Sequence, residues 1–381
     1  MTDPDRPLRA LWLIKGLGPG GAEQLLVQQA TVRHRDRLAV DVAYLLPHKD
    51  HLVGDLEAAG VGVLCLDGRR DLDPRWVLRL RALLLDGDYD VVHVHAPLVA
   101  AVVRLVLRTI PAARRPALVS TEHNRWPRHH PATRWANAAT LPFDDATFAV
   151  SADVVSTMPS RLAARTEVLV HGVDLEGVRR RAGDRADARR ALGVADDDVV
   201  VAIVANLRAA KAYDVWVAAA ASACRREPRL RFVSVGQGPM ADEIAQLAAA
   251  TGLGDRLQLL GYRDDAPTVL RAADVFTLTS QHEGLPVALM EALALGLPVV
   301  ATRAGGIPQA VDDGVEAVLV PVGDVAALAD AYVSLANDPA RRSAMGAAAQ
   351  ARASAYDIRR AAAVLEDRYR SLAGLPPAPP A

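Results

Sequence analysis

Short apolar runs rich in β-branched residues alternate along the chain with longer segments whose apolar positions recur every three to four residues. The first set of runs is "LRALWLI", "LAVDVAYLL", "VGVLCL", "DVVHVHA", "ALVST", "DATFAVS" and "TEVLV", each followed by a helical pattern or a loop. From Asp198 the rhythm restarts with "DVVVAIVANL", "LRFVSVG", "LQLLG", "DVFTLTS", "PVVAT" and "EAVLVP". Strand-like runs separated by helices are the pattern of a parallel sheet covered on both faces. Two successive sets without a short repeat predict an α/β chain of two doubly wound parallel-sheet domains facing a cleft. In such open sheets ligands bind outside the carboxyl ends of the strands, which puts the chemistry in the loops that follow them.

Between the two sets, "HGVDLEGVRRRAGDRADARRALGVADDD" loses the strand rhythm and is highly charged, so a connection between domains is expected near Val173 to Asp198. The expected domains are 1–175 and 176–360. A helical period over 357–374 is expected to pack back on the first domain, and the proline-rich 375–381 to be disordered. A chain of 381 residues suits this division, because single cores stop growing well below that length.

Charge narrows the partners. Residues 1–190 hold 27 Lys+Arg against 23 Asp+Glu, and the remainder 17 against 22. So small an imbalance argues against nucleic acid, and it permits peripheral contact of the first half with an anionic lipid surface. Cys65 and Cys224 form no C-x-x-C pair, which fits a reducing cytoplasm. The start "MTDPDRPLRA" has no apolar stretch of signal-peptide length. The run "APLVAAVVRLVLRTI", broken by Arg104 and Arg108, reads as a largely buried helix rather than a membrane span.

Four segments carry candidate chemistry. "LWLIKGLGPGGAEQLL" places Gly16, Gly18 and Gly21 at the dinucleotide-binding spacing G-x-G-x-x-G. A dehydrogenase would also need an acid at the end of the second strand, which here ends "YLLPH". "TSQHEGLPVALMEALALGLPVVATRAGGIPQAV" sets Glu283 before a helix expected from Val287 to Gly296 and Glu291 within it. The amides of Gly284, Leu285 and Val287 would form an anion site at that helix N-terminus. Eight residues of helix rotate by about 80°, so the two carboxylates are expected to do separate jobs. Read alone, Glu283 could cap the helix and Glu291 could be solvated, but the apolar neighbours of Glu291 make an unpartnered carboxylate costly there. "VVVAIVANLRAAKAYD" places Arg208 and Lys211 in the loop after a strand, as a bidentate fork and a point charge suited to a diphosphate. His93 and His95 alternate on a strand and share a face, but no further ligand stands at metal spacing, and the "DGD" at Asp86 to Asp88 reads as a turn.

Together "GLGPGGAEQ", "DVVHVHAP", "STEHN", "VLVHGVD", "NLRAAKAYD", "GQGP", "LLGYRDD" and the segment from Thr279 to Val311 resemble glycosyltransferase family 4, over nearly the whole chain. The resemblance implies the GT-B fold of two Rossmann-like domains and retaining transfer of a hexose-type sugar from a nucleotide-diphosphate sugar, with no metal and no cofactor. Its donor would be a UDP- or GDP-sugar, and its acceptor a saccharide, lipid-linked or small-molecule hydroxyl. It matches Glu291 to the ribose hydroxyls, Glu283 to the donor sugar, Lys211 to the diphosphate, and Gly284, Leu285 and Val287 to sugar or phosphate. Gly20 and Gly21 match the loop that approaches the diphosphate from the first domain, and His123 a histidine near sugar and acceptor. The family's commoner pattern has arginine five residues before the lysine; here Asn206 holds that position and Arg208 follows it. The alternative is a nucleotide-sugar 2-epimerase-like enzyme on the same fold, which needs no acceptor.

Overall fold

The computed structural model describes residues 6–18, 20–68 and 73–377, so residues 378–381 of the expected tail lie outside the described residues. The chain divides into two compact units, Met1–Gly172 with Ile358–Ala381, and Val173–Asp357.

The first unit is built on seven parallel strands: β1 (Leu8–Ile14), β2 (Leu38–Tyr44), β3 (Gly62–Cys65), β4 (Val91–Val94), β5 (Ala117–Glu122), β6 (Ala146–Ala149) and β7 (Thr166–Val168). Their order is β3-β2-β1-β4-β5-β6-β7. Strand periodicity divides β1 between two cores: Leu8, Ala10, Trp12 and Ile14 pack on one face of the sheet, Leu11 and Leu13 on the other. The first core takes Leu26 and Ala30 from helix α1 (Gly21–Val32) and Ala361, Leu365 and Tyr369 from the C-terminal helix Ile358–Leu372. On the other face lies α2 (Pro97–Arg108), which packs beside α3 (Pro131–Thr140). Arg104 of α2 is fully buried and grips Asp144 with two bonds, at 2.7 and 2.6 Å, while donating to Asn137 at 2.6 Å. A buried charge needs such partners, and burial pushes the Asp144 carboxyl up against the pull of Arg104. No helix among the described residues is long and apolar enough to cross a membrane.

In the second unit six parallel strands, β8 (Val199–Val204), β9 (Leu230–Val235), β10 (Leu257–Leu259), β11 (Val275–Leu278), β12 (Val299–Thr302) and β13 (Ala317–Val320), take the order β10-β9-β8-β11-β12-β13. The order reverses between β8 and β11, where an open sheet leaves a crevice at its carboxyl edge. The division falls at Gly172–Val173, at the start of the expected connection, and the segment to Asp198 forms two helices, α4 (Leu175–Ala182) and α5 (Arg185–Ala191), whose Val178 and Ala188, with Leu192 just beyond, belong to this unit's core. Two of its charges are structural: Arg185 and Arg189 pair with Asp274 at 2.6 and 3.1 Å, and Arg189 also donates to the carbonyl oxygens of Ala272 and Asp198.

Candidate active site

Four loops meet at the carboxyl edge of the second sheet, and their backbones touch. The loop after β8 runs through Asn206 and Arg208 into a short turn, Ala209–Lys211, then into helix α6 (Tyr213–Arg226). Ala212 joins turn to helix with φ of 47°, a left-handed conformation that costs an L-residue free energy. Its geometry is held from outside: Thr279 Oγ1 donates to the carbonyl oxygens of Lys211 and Ala212 at 2.9 and 3.2 Å, and the Gln281 amide donates to Ala210 at 2.8 Å. The loop after β11 is thereby pinned to the loop that presents Lys211.

Glycines let the other two loops approach as closely. A Cβ on Gly305 would stand 1.9 Å from the Glu283 carbonyl oxygen, and one on Gly306 2.2 Å from that of Gly284. After β9, a Cβ on Gly238 would stand 2.3 Å from the Leu207 carbonyl oxygen. Side chains at these positions would push the loops apart, which explains the glycines of "AGGIP" and "GQGP". The Gly306 amide also donates to the Glu283 carbonyl at 3.3 Å, and Thr302 Oγ1 to that of Ser280 at 2.6 Å.

These contacts bring Lys211 and Glu283 together. Lys211 Nζ lies 2.5 Å from Glu283 Oε1, and Ser280 Oγ donates to the same oxygen at 2.5 Å. Glu283 Oε2 has no hydrogen bond among the described residues, and the carboxylate is buried apart from a small exposed fraction. Glu283 does not cap the helix that follows: α7 (Val287–Ala294) begins after Pro286, and no side chain caps it. Among the described residues the amides of Gly284 and Leu285 donate to no backbone acceptor. Donors without acceptors at a helix start attract an anion.

Glu291 stands one turn into α7 and differs in kind from Glu283. Its carboxylate makes no hydrogen bond or ion pair among the described residues. Burial pushes its carboxyl up to about 7, moderated by the more distant positive charge of Arg181. A half-buried carboxylate with both oxygens free is a two-oxygen acceptor awaiting donors. Arg208 and Asn206 are exposed, and the Arg208 side chain makes no ion pair among the described residues.

The remaining candidates belong to the first unit. Gly20 is the N-cap of α1 and Gly21 its first residue; a Cβ on Gly20 would stand 2.2 Å from Glu23 Oε2. His123 follows β5. It pairs not with backbone but with His95, Nε2 to Nδ1 at 3.2 Å, and stacks on His171 with ring centroids 5.8 Å apart. Burial, aided by neighbouring His171, pulls His123 down to about 3, and burial alone brings His171 to about 4. His123 is therefore a neutral ring near pH 7, a hydrogen-bond partner rather than a charged acid. His93 has both nitrogens occupied, by the Tyr369 hydroxyl and by Thr121 Oγ1 at 2.7 Å, which leaves it no lone pair for a metal. Thr279, Ser280, Gly305 and Gly306 stand inside the segment from Thr279 to Val311 with no individual role legible from it, and His95 reads only as a strand histidine beside His93; the spacing of Ser280 three residues before Glu283 is the one signal that marks it.

Residues 19–176 match the model described as "Glycosyltransferase Family 4", and residues 184–352 the one described as "Glycosyl transferases group 1". The chain is 32% identical to a D-inositol 3-phosphate glycosyltransferase of Kribbella flavida, over 92% of this chain and 93% of that one. It is 35% identical to the enzyme of the same name from Saccharomonospora viridis, over 77% and 73%. Among solved structures it resembles Anabaena HepE in complex with UDP (TM-score 0.82, 24% identity, 96% of this chain and 100% of that one). It also resembles a sucrose-phosphate synthase of Thermosynechococcus elongatus (TM-score 0.78, 21% identity, 96% and 99%).

Proposed function

The chain belongs to glycosyltransferase family 4 and is a glycosyltransferase of the GT-B fold, and from that premise we propose that it moves a hexose-type sugar from a nucleotide-diphosphate sugar to a hydroxyl acceptor with retention. The observation that carries this reading is the composite at the start of α7: Lys211 on Glu283, free amides beside them, and an unpartnered Glu291 one turn further on. Glu291 accepts the two ribose hydroxyls, Lys211 and the amides of Gly284, Leu285 and Val287 hold the diphosphate, and Glu283 Oε2 accepts from the sugar. Arg208 and Asn206 flank the same loop as further donor contacts. Of the first unit's residues, His123, Gly20 and Gly21 are assigned to the reaction.

Glu283 is engaged by Lys211 and Ser280, an arrangement for holding hydroxyls rather than for attack at the anomeric carbon. Transfer then follows front-face substitution. The bond from anomeric carbon to phosphate oxygen breaks, the acceptor oxygen forms its bond on the same face, and the leaving phosphate oxygen takes the acceptor's proton. Lys211 and the helix amides stabilise the charge that develops on that phosphate, the task a metal ion performs elsewhere, so the reaction is proposed to be metal-independent. UDP is the nucleotide to test first because HepE is solved with UDP and with UDP-glucose. Inositol 3-phosphate, named for the relatives, is the first acceptor to test. The relatives' names speak against the epimerase alternative. Two separate thiols, Cys65 and Cys224, support a reducing cytoplasm as the compartment.

A thermal-shift panel of UDP, GDP, ADP and TDP sugars tests the donor assignment. One nucleotide sugar should raise Tm in the wild type and much less in Glu291→Ala. Stabilisation by none of them, or equal stabilisation of the variant, refutes it.

A further inference from the structure

Between Pro97 and Phe143 the chain carries seven arginines and a single acid, Glu122. Glu122 is buried and accepts from Asn137 Nδ2 at 2.7 Å, so this stretch presents cations and no carboxylate to solvent. Arg104 is used internally, and Arg125 lies 3.4 Å from Asp153. Arg128 and Arg134 are exposed and make no side-chain hydrogen bond or ion pair among the described residues. Arg108 lies over the ring of Phe143, 4.7 Å from its centroid.

Apolar tips stand among these cations. Trp135 is 76% exposed, Leu105 56% and Phe143 40%. The other four tryptophans, Trp12, Trp76, Trp126 and Trp216, are buried, which makes Trp135 the exception. On α3 it sits two residues from buried Asn137, about 200° around the helix, and so projects away from the unit's interior. A single exposed apolar residue is ordinary, but Trp135, Leu105 and Phe143 stand on two packed helices and the turn that touches both, and apolar side chains gathered in this way mark an interaction surface.

We propose that the exposed side of α2, α3 and the turn Leu141–Phe143 docks on an anionic bilayer surface. Arg108, Arg128 and Arg134 meet lipid phosphates, and Trp135, with Leu105 and Phe143, enters the interfacial layer. A protein partner would call for apolar tips gathered in a dry centre with charges at the rim. Here the cations are interspersed with the aromatics, Arg108 over Phe143 and Arg134 preceding Trp135 along the chain, an arrangement that suits a headgroup layer. All of these residues lie in the first unit and none belongs to the proposed donor site, so this inference and the donor assignment can fail independently.

The test titrates the full chain with vesicles of phosphatidylcholine and phosphatidylglycerol in equal parts, read by co-sedimentation and tryptophan emission. The expected result is co-sedimentation, a blue shift, and protection of the exposed indole from acrylamide, all reversed by high salt and absent with phosphatidylcholine alone. Trp135→Ser should abolish the blue shift, and Arg128→Gln with Arg134→Gln should lower partition by about 30-fold, roughly fivefold per lost cation. Circular dichroism confirms that the surface variants remain folded. No sedimentation with anionic vesicles, or sedimentation with unchanged wild-type emission, overturns the proposal. Retention on immobilised polyglutamate without vesicle binding overturns it too, in favour of an acidic protein.

Discussion

Replacing Glu291 by glutamine should convert donor binding from pH-dependent to pH-independent. The carboxyl titrates near 7 because burial disfavours its charge and no partner offsets that cost. Under the proposed assignment its ionised form accepts two ribose hydroxyls, and charge-assisted bonds of this kind are worth about 1.5–3 kcal/mol. Binding therefore selects the carboxylate. At pH 8 about nine-tenths of the groups are ionised and at pH 6 about one-tenth, so affinity should fall by about tenfold between them. The ligand for the assay is a UDP-sugar, whose diphosphate does not titrate in this window, and the readout is calorimetric Kd from pH 6 to pH 8. Glu291→Gln should bind about 10- to 100-fold more weakly at pH 8 and show no slope. Stability should move oppositely. The folded pKa lies above the unfolded one, so wild type loses stability as pH rises from about 4.5 to about 7, and the glutamine variant should have the higher Tm above that window. A flat wild-type profile, or the same slope in the variant, would refute the ribose assignment.

Lys211→Met leaves Glu283 buried beside Ser280 without its counter-ion, so it should destabilise the chain by about 3 kcal/mol and lower turnover by about a hundredfold. Chemical denaturation and steady-state kinetics check this; adding Glu283→Gln should recover much of the stability and none of the turnover, and strict additivity in that cycle would disprove the coupling. Gly305→Ala should weaken donor binding together with Tm, because its Cβ would collide with the Glu283 carbonyl and its φ is 54°. Gly314→Ala, also at positive φ but with open space around it, serves as the control and should leave donor Kd unchanged.

The strands were legible because each is a short apolar run, and β1 shows why such runs lack a polar alternation: its two faces feed two cores. The charged segment from Val173 to Asp198 marked the division, which falls at Gly172–Val173. Its two helices were harder to see because most of its charges, Arg180, Asp187 and Arg190 among them, face water, while Val178 and Ala188 turn into the second unit's core and Arg185 and Arg189 onto Asp274. Glu283 and Lys211 could be singled out as charges near strand ends, but their direct pairing depends on Thr279 and Gln281 tying two distant loops together, a tertiary fact with no local signature. His123 read equally well as a loop histidine bonded to backbone, and only the fold reveals His95 beside it. Gly305 and Gly306 stood in a recognisable motif, yet their reason, contact with the backbone of Glu283 and Gly284, appears only in three dimensions.

The most direct test of retaining transfer at the Lys211–Glu283 site is proton NMR of the first-formed product, with a chelator present and an α-linked nucleotide sugar as donor. An α-configured product, formed with one equivalent of nucleoside diphosphate and lost in Lys211→Met, is the predicted result. A β-configured product, a requirement for added metal, or an isomeric nucleotide sugar formed without release of the diphosphate would contradict it.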